Sequence, residues 1–247
     1  MYRLVSTYIQ HIMPSGGGNV ESILPAGYTQ LKCIIAEPQE SSSEQVYFRV
    51  TSSYGVTFDM RDAIEFMYKP VQNINSYPVS SSDSYLWVYN KSSYPTYEVA
   101  IHFPVYSNRR CFASYYTRRA SSSSSSTSFK VTCYISDDSS YEDIYYHVKL
   151  SRDNSSSYLE ANDIRSSTGN TGTISYNTFC FMGYVGFSSF YAPGKYDYLK
   201  IYDWSTNELK LHWVPALEDA TGIAGFYDVV NNKFIAPKQG VAAYETL

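Results

Sequence analysis

GFYDVVNNKF, residues 225–234, is the stretch that decides the fold. An apolar run enters a pair of asparagines and an apolar residue leads the chain back. That is a β-hairpin pattern, because Asn tolerates the positive φ a tight turn requires and strand-forming residues flank it. Gly225, ahead of Phe226 and Tyr227, permits a close backbone approach. The stretch closes a sheet and carries no chemistry of its own.

Outward from this hairpin, alternation with period two recurs every ten to fifteen residues. In SYLWVYN, Tyr85, Trp87 and Tyr89 share one face and Leu86 and Val88 the other. In YEVAIHF, Tyr97, Val99, Ile101 and Phe103 oppose Glu98, Ala100 and His102. DIYYHVKL sets Ile144, Tyr146, Val148 and Leu150 against Asp143, Tyr145, His147 and Lys149. YDYLKIYD turns Leu199 and Ile201 inward, and NELKLHW does the same with Leu209, Leu211 and Trp213. Strands with one wet and one dry face must cover each other, so the expected fold is all-β, an antiparallel two-sheet sandwich. No long stretch has period 3.6, so helix is a minor component.

The chain of 247 residues carries a net charge of -4 and no basic patch, which argues against a nucleic-acid partner. Two pieces are expected: an N-terminal arm with a Gly-rich hinge over residues 1–20, and a single domain over 21–247. Tyr2, Leu4, Val5, Tyr8 and Ile9 of the arm are expected to order on a partner shell or on symmetry mates, since so short a segment cannot bury its own apolar groups. The opening residues lack a signal-peptide core, and no run approaches the ~20 apolar residues of a membrane span. Cys33, Cys111, Cys133 and Cys180 lie inside strand patterns without CxxC spacing and read as buried free thiols. Ser121 to Ser126 reads as a mobile loop between strands. The 27 tyrosines, with abundant serine, match the composition of binding surfaces as well as that of half-exposed strands.

The last quarter, KYDYLKIYDWSTNELKLHWVPALEDATGIAGFYDVVNNKF (residues 195–234), resembles the closing hairpins of the concanavalin A-like lectin/glucanase jelly rolls, in the laminin-G-like group common in gut bacteria and their phages. LPAGYTQLKCI, residues 24–34, is similar to the LPxGYxxLxYI opening of that group. Its next strand motif, resembling GTQYIDTG, is replaced by PQESSSEQVYFRV. The resemblance implies a jelly-roll sandwich across residues 24–247.

Enzymes of that fold carry E-x-D-x-x-E along one strand, placing two carboxyls on one face about 5 Å apart. FDMRDAIEF instead offers Asp59, Asp62 and Glu65 at intervals of three, which fall on alternating faces, so no catalytic residue and no enzyme activity is expected. DDSSYED, residues 137–143, reads as a solvated acidic loop with a weak calcium site as its alternative; no cofactor is expected. His102, His147 and His212 read as solvated sheet histidines with no shared metal.

Aromatic residues on strand faces are the candidate glycan contacts, Tyr85, Trp87, Tyr89, Tyr145, Tyr198 and Tyr202, with a core position as the competing reading for the Trp87 face. With a signal-less chain, a Gly-hinged arm ahead of the lectin-like domain and a Tyr/Ser-rich surface, the resemblance implies a non-catalytic bacteriophage virion protein. It would be a fibre or decoration subunit on the particle surface, synthesised in the host cytoplasm. Its expected partners are other virion proteins reached through the arm, further copies of itself, and cell-surface or mucin glycans. The alternatives are a bacterial carbohydrate-binding module and a glucanase-type hydrolase.

Overall fold

The computed structural model describes residues 23–37, 44–59, 62–70, 85–90, 97–103, 105–106, 109–119, 126–136, 144–152, 156–169, 175–183 and 192–247. In chain order their strands are β1 (Tyr28–Ala36), β2 (Phe48–Val50), β3 (Phe58–Asp59), β4 (Asp62–Pro70), β5 (Tyr85–Asn90), β6 (Tyr97–His102), β7 (Val105–Tyr106), β8 (Arg109–Arg119), β9 (Ser126–Ser136), β10 (Tyr146–Arg152), β11 (Ser156–Ala161), β12 (Ile164–Gly169), β13 (Ser175–Tyr176), β14 (Phe179–Phe181), β15 (Gly194–Asp203), β16 (Leu209–Glu218), β17 (Ile223–Asp228), β18 (Lys233–Ile235) and β19 (Ala243–Thr246). One sheet of ten strands runs β12-β11-β10-β4-β15-β1-β16-β17-β18, with β19 paired to β1. A second, of seven strands, runs β2-β14-β5-β6-β8-β7 with β9 on β8, and β3 and β13 form a small pair. All these pairings are antiparallel.

The two sheets cover each other through aromatic side chains, so the fold is an all-β sandwich. Phe66 of β4 meets Phe181 of β14 at 5.5 Å between ring centroids, and Tyr68 meets Phe103 at 5.6 Å. Trp213 of β16 contacts Phe179 at 5.5 Å and Phe181 at 6.3 Å. Phe181 also touches Tyr196 and Phe226, which makes it a hub between the layers. Truncating such a fully buried ring costs ~3–5 kcal/mol.

The hairpin of the opening stretch is β17 and β18, joined by residues 229–232, with Asn232 at φ 53. A Cβ on Gly225 would lie 2.4 Å from the Ile235 carbonyl oxygen and 2.9 Å from the Phe234 ring, which is the close approach the glycine permits. Asp228 is fully buried and accepts from His212 N at 3.1 Å, Val230 N at 3.0 Å, Asn231 Nδ2 at 2.7 Å and the Tyr54 hydroxyl. The Asn231 amide also donates to Lys210 O at 3.0 Å. One carboxylate thus ties β16, the hairpin and the short 3-10 turn Ser52–Tyr54 together.

Near their connecting turn β15 and β16 pair directly, Leu199 with Trp213. Farther along they part and β1 enters between them, with Ile34 opposite Tyr196 and Gln30 opposite Ala216. β19 then pairs with β1 from Leu31 to Ile35.

Three expectations are corrected. Ile144 is 45% exposed because it precedes the first paired residue of β10. Leu209 is 37% exposed because a bulge between Ile201 and Tyr202 sets it opposite Tyr202, on the outward face. His102 is only 4% exposed: Ala100, Ile101 and Phe103 beside it are also buried, so both faces of β6 are covered there and alternation no longer separates wet from dry. All four cysteines are free and buried. The arm residues Tyr2, Leu4, Val5, Tyr8 and Ile9, the serines 121–125 and the acidic segment 137–143 lie outside the described residues.

Candidate functional site

The face of the ten-stranded sheet turned away from the core is built by β10, β4, β15 and β16. Ile64, Phe66 and Tyr68 of β4 point inward, so Glu65 points out, and yet it is only 6% exposed. An ionised carboxyl removed from water is costly unless paired and hydrogen-bonded, so its covering defines the site. Lys149 of β10 and Lys200 of β15 lie directly across from Glu65 in register. Continued sideways, the row reads Arg165, Glu160, Lys149, Glu65, Lys200, His212 over six strands.

A bulge places Tyr198. Between Tyr196 and Leu199, two β15 residues, Asp197 and Tyr198, oppose Met67 alone. This lets Tyr196 bury inward while Tyr198 reaches Glu65 on the other face. The Tyr198 hydroxyl donates to Glu65 Oε1 at 3.0 Å and the Tyr202 hydroxyl to Oε2 at 3.0 Å. His147 Nε2 stands 3.2 Å from Oε1, and its backbone is held by Asn162 at the β11–β12 turn, whose Oδ1 accepts from His147 N at 2.8 Å. Burial acts to raise the Glu65 pKa, but His147, Lys200 and the Tyr198 hydroxyl outweigh it and hold the carboxyl down at about 2. Burial and the Lys200 charge push His212 down to about 4.

Above these groups lie cations on ring faces. Lys149 Nζ sits 4.4 Å over Trp204 and 5.5 Å over Tyr202, and Lys200 Nζ 4.9 Å over Tyr198. Beside Tyr198, Asp197 is pushed up to about 6 by burial, against the opposing pull of Lys32 and the Tyr145 hydroxyl. Tyr145 also bonds the Cys33 thiol, which burial pushes up to about 11.

Of the expected glycan contacts, Tyr145, Tyr198 and Tyr202 therefore come together on one surface. Tyr202 is nearly buried, at 8% exposure. The backbone of β5 sets Trp87 opposite Phe181 and Ile101, while the side chains of Tyr85, Trp87 and Tyr89 lie outside the described residues. Asp62 does not join Glu65; it is buried and pairs with Lys210 at 2.7 Å. His147 and His212 sit on strands separated by β4 and β15, and His102 is in the other sheet. Sequence reasoning missed Glu65 as a site centre, with Lys149, Lys200 and Trp204. The available signal was an acid at an outward position between the apolar residues Ile64 and Phe66.

Among the described residues no group of three or more His, Cys, Asp or Glu is arranged to hold a metal ion, and no helix is long and apolar enough to cross a membrane. No protein-family model matches the chain, and no curated protein matches it either.

Proposed function

We propose that this chain is a bacteriophage virion subunit, a fibre or decoration protein whose concanavalin A-like jelly roll stands on its N-terminal arm and presents the Glu65 face to glycans. The observation that carries the glycan reading is the set of flat aromatic faces on that surface, Trp204 and Tyr198, each overlaid by a flexible lysine. The C–H face of a sugar packs on such rings. The displaced ammonium and the half-exposed His147 are then available to the sugar hydroxyls. The virion assignment rests on the sequence resemblance at both ends of the domain.

The test is a glycan array probed with the full chain. Reproducible binding to one glycan class, lost in Trp204→Ala, supports the reading; a silent array, or binding indifferent to that change, removes it. Mass spectrometry of purified particles lacking the chain would refute the virion assignment independently. One observation favours a hydrolase as the second reading: Tyr198 bonds the Glu65 carboxyl and is the chain neighbour of Asp197, which brings two acids to one tyrosine. Turnover of a labelled β-glucan that vanished in Glu65→Gln would establish it.

A further inference from the structure

β2 is a short strand whose residues alternate buried, exposed, buried, so Arg49 stands out from the core between Phe48 and Val50. Lys233 opens β18 across from Asp228. Its ammonium folds back, donating to Tyr54 O at 2.7 Å and lying 4.6 Å over the Tyr54 ring. Between the two cations is a shallow cleft, open to solvent, with room of about 390 Å³, lined also by Thr51, Ser53, Tyr54 and Phe234. That size suits a small ligand.

Among the described residues no acidic side chain lines this cleft, in a chain whose net charge is -4. Asp228 behind it is fully buried and committed to the Tyr54 hydroxyl and to backbone N–H groups, so its charge is already engaged. The Thr51 and Ser53 hydroxyls share one hydrogen bond at 2.8 Å, in which either is the donor. A pair of hydroxyls has two hydrogens and this bond uses one, so the other can donate to a guest.

We propose that this cleft binds the carboxylate-bearing ring of an acidic sugar. Arg49 supplies the planar fork that matches a carboxylate, Lys233 a second positive charge, and the Thr51–Ser53 pair a neutral donor for a ring hydroxyl. Phe234 forms an apolar wall for the C–H face of the ring. The site is separate from the Glu65 face: at that level β15 pairs directly with β16, so β18 is four strand positions from β4, roughly 19 Å at ordinary strand spacing.

Ligand-observed NMR on the full chain, with glucuronate and N-acetylneuraminate as probes and glucose and inorganic phosphate as controls, tests this. The expected result is binding of a sugar acid and none of glucose, weakened by about tenfold or more in Arg49→Gln and in Lys233→Gln. Both side chains are exposed, so the melting temperatures of these variants should match that of the parent. Trp204→Ala should leave this binding unchanged, which separates it from the glycan surface around Glu65. Equal binding of glucose, indifference to Arg49→Gln, loss in Trp204→Ala, or displacement by phosphate at equal concentration would each overturn the proposal.

Discussion

Replacing Glu65 with Gln keeps the shape of the side chain and removes its charge, so it isolates what the surrounding donors contribute. A carboxyl held at about 2 in place of its ordinary 4.5 stabilises the fold by about 3 kcal/mol at neutral pH. Part of that comes from His147, whose side chain is 42% exposed and screened by water, so the expected loss is about 2 kcal/mol. The sign follows from the lowered pKa: the stabilisation is complete above about pH 4.5 and disappears as pH falls through about 2. Urea unfolding followed by tryptophan fluorescence should therefore show the variant less stable by about 2 kcal/mol at pH 7, with the gap shrinking to roughly 40% of that at pH 3. A gap that stayed the same at both pH values, or stayed below ~0.5 kcal/mol at pH 7, would refute the account of Glu65 as a buried charge held by its donors.

Asp228→Ala should cost about 3–5 kcal/mol in the same assay, because it strips one acceptor from several buried donors at once. Gly225→Ala should destabilise by about 2 kcal/mol or more, since its Cβ would sit 2.4 Å from a backbone oxygen that cannot swing aside; a neutral result would mean that β18 shifts freely. The four thiols should react with a disulfide reagent only after denaturant is added, and fast labelling of Cys33 in the native protein would contradict its burial.

Much of the fold was legible because alternation in the sequence mirrors the alternation of side chains along a strand. Tyr146, Val148 and Leu150 are buried and His147 and Lys149 face outward, as the pattern of DIYYHVKL requires. The hairpin at Asn231–Asn232 was legible because its turn chemistry is local. Neighbour relations were not: nothing in FDMRDAIEF states that β4 lies between β10 and β15, and only that placement brings Lys149 and Lys200 to Glu65. The bulges at Asp197–Tyr198 of β15 and at Lys210 of β16 were equally hidden, since each inserts a residue without a Gly or Pro to mark it, and each moves a side chain to the other face. His102 misled because alternation reports wet and dry faces only where one face meets solvent.

The position of β1 has a consequence for synthesis. Its strand neighbours are β15, β16 and β19, so the first described strand to leave a ribosome has nothing to pair with until Gly194 and beyond have been made. About 160 residues separate Ala36 from Gly194, and at ~5–20 residues per second that is a wait on the order of ten seconds or more. During it the apolar run Cys33-Ile34-Ile35 is an unpaired edge, open to other chains or to a chaperone. Nascent chains stalled before residue 194 should therefore bind a holdase through residues 31–36 and release it once β19 is complete.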